Sequence, residues 1–225
     1  MLAASKAEFE LVLVSSKRRR AYPNCTQLQE LDLSRCKLLK NIDGLSNCSQ
    51  LQMLNLIDCS SFRDFEILSK CSQLQELYLG GGDPLDARLL SRRQHLDLGW
   101  WSLKSLDVLT NCSQLHTLAL VGCKSLQNVD GLSNCPLLQE LDLSHCHSLT
   151  NIDVLASCLQ LQKLRLTGCA SLTNIDALSS CLQLQLLNLS SCESLQDVDR
   201  RTLDLPYVKV IKLPRNLGMT QSVTR

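Results

Sequence analysis

A repeat of 23 residues constrains this chain more than any other feature of its sequence. The phrase "NCSQLQMLNL" begins at Asn47, and close variants begin at Asn24, Asn111 and Asn134. The aligned units share the pattern L-x-x-L-x-L-x-x-C-x-x-L-x-x-I-D-x-L-x-x-C-x-x, and regular copies start at Leu28, Leu51, Leu115, Leu138, Leu161 and Leu184. Self-similarity at this period is typical of stacked repeat architectures, in which one unit buries its apolar face only against its neighbours.

The spacing within one unit predicts its local structure. Leu141 and Leu143 are two residues apart, so both side chains point to one face of a short strand. The next apolar residues follow at intervals of three, which indicates a turning path with one inward side chain per step. Asp153 then precedes a short helix or 3-10 turn predicted over 154–158, where its carboxylate is expected to act as the N-cap.

This acid recurs once per unit, as Asp43, Glu66, Asp107, Asp130, Asp176 and Asp199. Capping explains one acid per repeat, and a row of catalytic acids is the alternative interpretation. Asparagines two residues earlier are expected to serve the same turn: Asn41, Asn128, Asn151 and Asn174.

Thirteen cysteines follow the same period. From Cys25 onwards, the gaps alternate between 11 and 12 residues within each run, and no Cys-x-x-Cys pair with zinc-ligand spacing occurs. We therefore expect two buried rows of free thiols, with metal or redox roles as the alternative. So many free thiols favour a reducing compartment, and we expect the protein to be cytoplasmic.

Composition excludes several classes of function. The net charge of +1 predicts neither nucleic acid nor an anionic membrane as a partner. No apolar run approaches the roughly 20 residues of a spanning helix, and the N-terminal run FELVLV is too short for a signal peptide. The basic run 17–20 (KRRR) leaves a nuclear location open.

Enzymatic motifs find little support in the sequence. It has no Gly-rich phosphate loop and no G-x-S-x-G motif, so we expect no cofactor and no small-molecule substrate. His145 and His147 flank Cys146, and a metal held by this pair is the alternative to two outward-facing side chains.

The stretch "CSQLQMLNLIDC", from Cys48 to Cys59, resembles the strand signature of leucine-rich repeats, in particular their cysteine-containing subtype. Similar repeats occur in plant disease-resistance receptors, ubiquitin-ligase substrate adaptors and kinetoplastid leucine-rich-repeat proteins. The resemblance implies an α/β solenoid. Such a solenoid is a curved horseshoe with parallel strands on the concave face and short helical or 3-10 segments on the convex face. It also implies binding of other macromolecules.

We accordingly expect an N-terminal cap at 1–24, an array of about eight repeats at 25–207, and a partial repeat with a tail at 208–225. The array is irregular at 80–101, where a strand is predicted over HLDLGWW with Trp101 in the core. Trp100 is expected to point outward near Tyr78. Either this unit is a decayed repeat patched by a large side chain, or it forms a functional ridge.

Function is expected to come from the outward strand residues, because the inward ones form the core. These residues form a mixed, mildly acidic strip that turns basic late in the array and suits a protein partner with a basic segment. The alternative is that the chain is the recognition fragment of a larger signalling, immune-receptor or ubiquitin-ligase protein. The candidate protein-binding residues are Glu30, Asp32, Met53, Asn55, Glu76, Tyr78, Asp97, Trp100, Glu140, Asp142, Lys163 and Arg165.

The cysteine rows give a first testable prediction. A thiol reagent should label few of the thirteen cysteines in the native protein and nearly all of them after denaturation. Burial behind the strands and helices withholds the thiols from solvent. Mass spectrometry that finds several native disulfides would contradict both the buried rows and the reducing compartment.

Overall fold

The computed structural model describes residues 25–63, 65–81, 103–195, 208 and 210–212. The predicted cap at 1–24 lies outside these ranges, as does most of the predicted tail. Within these ranges no helix has both the length and the apolar character needed to cross a membrane.

Short parallel strands, paired in chain order, form one sheet along the described part of the chain. They are β1 Glu30–Asp32, β2 Met53–Asn55, β3 Glu76–Gly80, β4 Thr117–Val121, β5 Glu140–Asp142, β6 Lys163–Arg165, β7 Leu186–Asn188 and β8 Val210–Lys212. Outside the strands, the described part of the chain forms short 3-10 helices: Cys25–Gln27, Asp43–Asn47, Glu66–Lys70, Asp107–Leu109, Asp130–Asn134, Asp153–Ser157 and Asp176–Ser180. This is the predicted leucine-rich-repeat solenoid.

Successive repeats are joined by the same pair of backbone hydrogen bonds. The carbonyl of Gln29 accepts the N–H groups of Gln52, at 2.7 Å, and Met53, at 2.9 Å. The equivalent carbonyl accepts two N–H groups from the next repeat at every step up to Leu186. The pairing also holds the register, so that Glu30 faces Met53 and Leu31 faces Leu54.

The leucines of the pattern form a continuous core between the strands and the 3-10 helices. In the unit from Leu138 the inward side chains, including Leu141, Leu143 and Leu155, are at most 1 % exposed. Because side chains alternate along a β-strand, a shift of one residue would bring the inward leucines of the strand to the solvent face. The leucine spacing therefore fixes which strand residues point outward.

The cysteines also hold repeats together. The thiol of Cys146 donates to the carbonyl of Leu120 at 3.2 Å, and that of Cys192 donates to Leu166 at 2.9 Å. Cys59 and Cys169 make the same bond to the preceding repeat. The residue at this position is thus small and apolar, yet it still donates a hydrogen bond across the repeat interface.

Burial is confirmed for the twelve cysteines whose side chains the structure describes, all of them free. The side chain of Cys25 lies outside the described part. Burial raises the pKa of Cys135 and of Cys181 to about 11, which disfavours the reactive thiolate.

The predicted capping by Asp153 is wrong. Asp153 is itself the first residue of its 3-10 helix, and its own N–H donates to the side-chain oxygen of Asn151 at 2.6 Å. Asn174 and Asn128 accept the corresponding N–H groups of Asp176 and Asp130. An asparagine two residues before the helix therefore satisfies the terminal amide, because a side chain at the first helical residue does not reach back to it.

The strand predicted over HLDLGWW does not lie between β3 and β4. These two strands pair directly, from Glu76 with Thr117 to Gly80 with Val121. The units starting at Leu74 and Leu115 are 41 residues apart, which is one repeat of 23 residues plus an insertion of 18. The expectation of a further strand of the ladder between them is therefore wrong, and His95, Asp97, Trp100 and Trp101 lie outside the described residues.

Gly80 is the last residue of β3, just before this insertion. Its φ is +117°, and a side chain here would meet the carbonyl oxygen of Val121 at 2.1 Å. Only glycine combines this backbone angle with so close an approach.

The last predicted strand is present. β8 pairs in parallel with β7, and the register places Ile211 beside Leu187. The domain boundaries at 24 and 207 stay predictions.

Candidate functional site

The outward strand residues form two rows that cross the sheet, here called the strand face. The strand pairing fixes their order, because each residue lies beside its equivalent in the next repeat. The first row is Glu30, Met53, Glu76, Thr117, Glu140, Lys163 and Leu186. The second row is Asp32, Asn55, Tyr78, Ala119, Asp142, Arg165 and Asn188.

Charges on the strand face are partly paired. Lys163 Nζ lies 2.5 Å from Glu140 Oε1, and the two side chains are 43 % and 39 % exposed. At this exposure an ion pair contributes at most about 1 kcal/mol to stability. The hydroxyl of Tyr78 donates to Glu76 Oε2 at 2.7 Å. The strip is thus less acidic around β5 and β6 than its carboxylates alone indicate.

Four residues of the second row have a structural role that the sequence analysis missed. Asp142 Oδ1 accepts the backbone N–H of Ser144 at 2.9 Å, which closes a turn at the end of the strand. The same side-chain-to-backbone bond, two residues ahead, is made by Asp32, Asn55 and Asn188. These side chains hold the turn, so presenting a charge or an amide to a partner is not their only role.

This turn accompanies a left-handed residue three positions after each of those Asp or Asn residues. The four residues are Arg35, Asp58, His145 and Ser191, with φ between 59° and 66°. In the repeats of Ala119 and Arg165, which cannot make the bond, the left-handed residue is Gly122 or Gly168. A non-glycine side chain strains this conformation, and the Asp or Asn hydrogen bond offsets the strain where glycine is missing.

Asp142 was predicted to be outward and accessible, but it is only 5 % exposed. Burial raises the pKa of its carboxyl group, whereas the hydrogen bonds from Ser144 and the nearby charge of Arg165 lower it to a smaller extent. Burial therefore makes the charged form of Asp142 less favourable in the folded protein. The first role of this side chain is to close the turn after β5.

A groove of about 530 Å³ runs across the strand face from Arg35 to Arg165. Its middle is floored by Thr117 and Ala119, with Tyr78 on one side and Asp142 on the other. Ala119 is the small member of a row that otherwise holds Asp, Asn, Tyr and Arg. The depression therefore follows from one substitution in the repeat pattern.

His145 was predicted to face outward, but it is half-buried. Its Nε2 is buried and has no hydrogen-bond partner in the described part of the chain, and its ring lies 6.0 Å from that of His147. Burial lowers the pKa of both histidines. Among the described residues, no group of three or more His, Cys, Asp or Glu side chains is placed to hold a metal ion.

Most of the predicted site residues lie together on the strand face. The exceptions are Asp97 and Trp100, which lie outside the described residues. The predicted set omitted Thr117, Ala119, Arg35 and Asp58, which line the groove. The signal for Ala119 was present in the sequence, since alanine is the smallest residue at that repeat position.

Comparisons with known proteins agree with this architecture. A family model described as "BspA type Leucine rich repeat region" matches residues 99–203 in six copies. No curated protein matches the sequence.

Three solved structures share the fold at low sequence identity. An internalin C2 from Listeria monocytogenes has a TM-score of 0.54 at 18 % identity and covers 84 % of this chain and 82 % of its own. The leucine-rich repeat domain of the type III effector XopL has a TM-score of 0.56 at 19 % identity, with 80 % of this chain and 58 % of its own covered. The LRIM1/APL1C complex contains a chain with a TM-score of 0.53 at 23 % identity, and the match covers 76 % of this chain and 29 % of that chain.

The repeat pattern, the parallel ladder and these matches define one fold class: the chain has the fold of a leucine-rich repeat solenoid, and its residues 99–203 match a leucine-rich repeat family model. Proteins of this class are typically non-enzymatic interaction modules, and their domains commonly bind other proteins. The cysteine-containing subtype stays a prediction.

The double role of Asp142 gives a testable prediction. Asp142→Asn keeps the oxygen that accepts from Ser144, as Asn55 and Asn188 do at the same repeat position, and removes a charge that burial destabilises. A raised pKa means that the folded state binds the proton more tightly, so ionisation costs stability as pH rises. We therefore expect Asp142→Asn to be more stable than the natural protein at pH 7.

Urea denaturation at several pH values measures this effect. The advantage of the Asn variant should shrink as pH falls and vanish below about pH 4, where the unfolded chain also binds the proton. Asp142→Ala is the control, since it leaves the buried N–H of Ser144 without its acceptor and should cost about 1–3 kcal/mol at every pH. An Asn variant as unstable as the Ala variant at pH 7 would show that attraction to Arg165 outweighs burial.

Proposed function

We propose that this protein is a non-catalytic interaction module that binds a protein partner through its concave strand face. The observation that carries the proposal is the contrast between the two sides of each strand. The inward side repeats leucine from unit to unit, whereas the first outward row changes through Glu, Met, Thr, Lys and Leu. Core packing explains why the inward residues are all leucine. It does not determine which residue types occupy the outward positions, so the variation there is available for binding.

The size of the strand face supports a macromolecular partner. The groove crosses β1 to β6, which at about 4.8 Å per strand is a length of about 24 Å. An extended segment of about seven residues would fill that length at about 3.3 Å per residue. A small molecule would occupy only part of it.

The cysteines support a non-catalytic role in a reducing compartment. Their thiols are buried, and the raised pKa of those such as Cys135 disfavours the nucleophilic thiolate at neutral pH. We infer a cytoplasmic location from this load of free thiols, and the basic run at 17–20 keeps the nucleus as a second one.

A second candidate function is that of the recognition part of a larger protein. The chain spans 58 % of the XopL domain chain and 29 % of the chain in the LRIM1/APL1C complex. The LRIM1/APL1C complex, by its description, is an assembly containing such a repeat chain, which supports protein binding for this fold. Flanking segments in the complete gene that encode an effector domain would favour this candidate over a self-contained adaptor.

Charge reversal on the strand face tests the proposed function. Asp142 is buried, so reversing its charge would destabilise the array. Glu30 and Glu76 are exposed and therefore suit the test. Glu30→Lys with Glu76→Lys should slow association with a partner isolated by affinity purification. It should also weaken the dependence of the association rate on salt, because the charges that steer a basic segment are lost.

The matched control is Glu66→Lys with Glu193→Lys, which makes the same change in charge away from the strand face. Both double variants should melt close to the natural protein. If the control slows association as much as the strand-face variant, the partner binds elsewhere and the proposed function is wrong.

A further inference from the structure

The centre of the groove differs from the rest of the strand face because Ala119 lies between two larger side chains. The register places Ala119 beside Tyr78 on one strand and Asp142 on the other. Ala119 is 4 % exposed, so its methyl group forms a floor beneath its neighbours. The result is a depression, open to the strand face, that one long side chain of a partner could enter.

Acidic groups surround this depression. In the first row, Glu76 and Glu140 lie one strand to either side of Thr117, so their backbones are about 10 Å apart. Both carboxylates are close enough to the Tyr78 phenol to raise its pKa further, after the larger effect of burial. The negative potentials of the two glutamates therefore overlap above Thr117 and Ala119.

The positive charges of this region lie on the far side of the carboxylates. Lys163 and Arg165 belong to β6, one strand beyond Glu140 and Asp142. Lys163 pairs with one oxygen of Glu140, and a carboxylate has about four acceptor sites, so this pair does not saturate it. Across the depression from β6, the neighbouring residues are Tyr78 and Glu76, which bring no positive charge.

Asp142 adds a reason for a cation to bind here. Its carboxylate lines the groove and is nearly buried, and water solvates its charge poorly. A cation in the depression would stabilise that charge at short range. Tyr78 lines the opposite wall, and its aromatic ring is of the kind that makes cation–π contacts.

We propose that the depression over Ala119, between Glu76, Tyr78, Glu140 and Asp142, is a socket for one arginine or lysine side chain of an extended partner segment. This inference rests on the proposed function and names the chemistry that the strand face recognises. An apolar side chain in the same place would remove water from the carboxylates of Glu76 and Glu140 without replacing its interactions, which is unfavourable.

The test uses a random-peptide display library selected against the full chain at low salt. The selected peptides should share an arginine or lysine at one position. Replacing that residue in a synthetic peptide by glutamine should weaken binding at least tenfold, measured as Kd by fluorescence anisotropy.

Two variants of the protein test whether the peptide binds in the depression. Ala119→Leu fills the depression and should weaken binding at least tenfold, whereas Ala156→Leu, the same change at an exposed position in the 3-10 helix Asp153–Ser157, should leave it unchanged. Thr117→Lys is a second variant in case Ala119→Leu does not fold. It puts an ammonium between Glu76 and Glu140 to compete with the peptide, and Thr110→Lys is its exposed control.

The outcomes separate the socket from the proposed function. Peptides that lose binding on Ala119→Leu but share an apolar or aromatic residue instead of a basic one overturn the socket and leave strand-face binding intact. Peptides weakened by Glu30→Lys with Glu76→Lys but not by Ala119→Leu or Thr117→Lys also overturn the socket alone. Peptides indifferent to all of these variants overturn both proposals, and a library that yields no binder counts against the socket.

Discussion

From β1 to β6, the carbonyl oxygen before each strand accepts two N–H groups from the next repeat, and the rest of the structure depends on these paired bonds. They bring consecutive leucine sets into one core and set the register of the outward rows. A single repeat has no partner for these groups and no second layer over its leucines. Each unit therefore folds against its neighbours, and the strand face exists only as a property of the array.

The turn after each strand shows how this constraint shapes the sequence. The chain must reverse direction with a left-handed residue, and it does so either with Gly122 and Gly168 or with a non-glycine residue that follows an Asp or Asn turn. A second-row side chain is thus free of this structural role where glycine carries the turn. The repeats of Ala119 and Arg165 are of that kind, and both of these residues line the groove.

The sequence predicted the features that follow from periodicity. The 23-residue spacing gave the parallel strands, the inward leucines and the cysteine rows, because every unit repeats the same packing problem. It placed Asn151 and Asp153 at the same turn but assigned the cap to Asp153, whereas Asn151 accepts the N–H at the start of the helix, because both residue types cap helices and only the geometry distinguishes them. Burial of Asp142 was also missed, because an outward position in a strand does not reveal what the next residues cover.

The insertion after Gly81 was the largest error, and its cause is physical. HLDLGWW carries the alternating pattern of a strand, but alternation alone does not tell whether a segment joins the parallel ladder. The chain returns at Leu103, and Leu103 and Leu106 take the core positions that precede the 3-10 helix of this unit. β3 pairs directly with β4, so the sheet continues without an intervening strand.

Hydrogen exchange at the β3–β4 junction tests the central claim, a single uninterrupted ladder, most directly. The N–H groups of His116 and Thr117 donate to the carbonyl of Gln75 at 2.8 and 3.0 Å, across the insertion. The account predicts that these amides are protected as strongly as those of Gln139 and Glu140, which donate to His116 one repeat later. Exchange of His116 and Thr117 at the rate of exposed loop amides, with Gln139 and Glu140 still protected, would contradict it and divide the array in two.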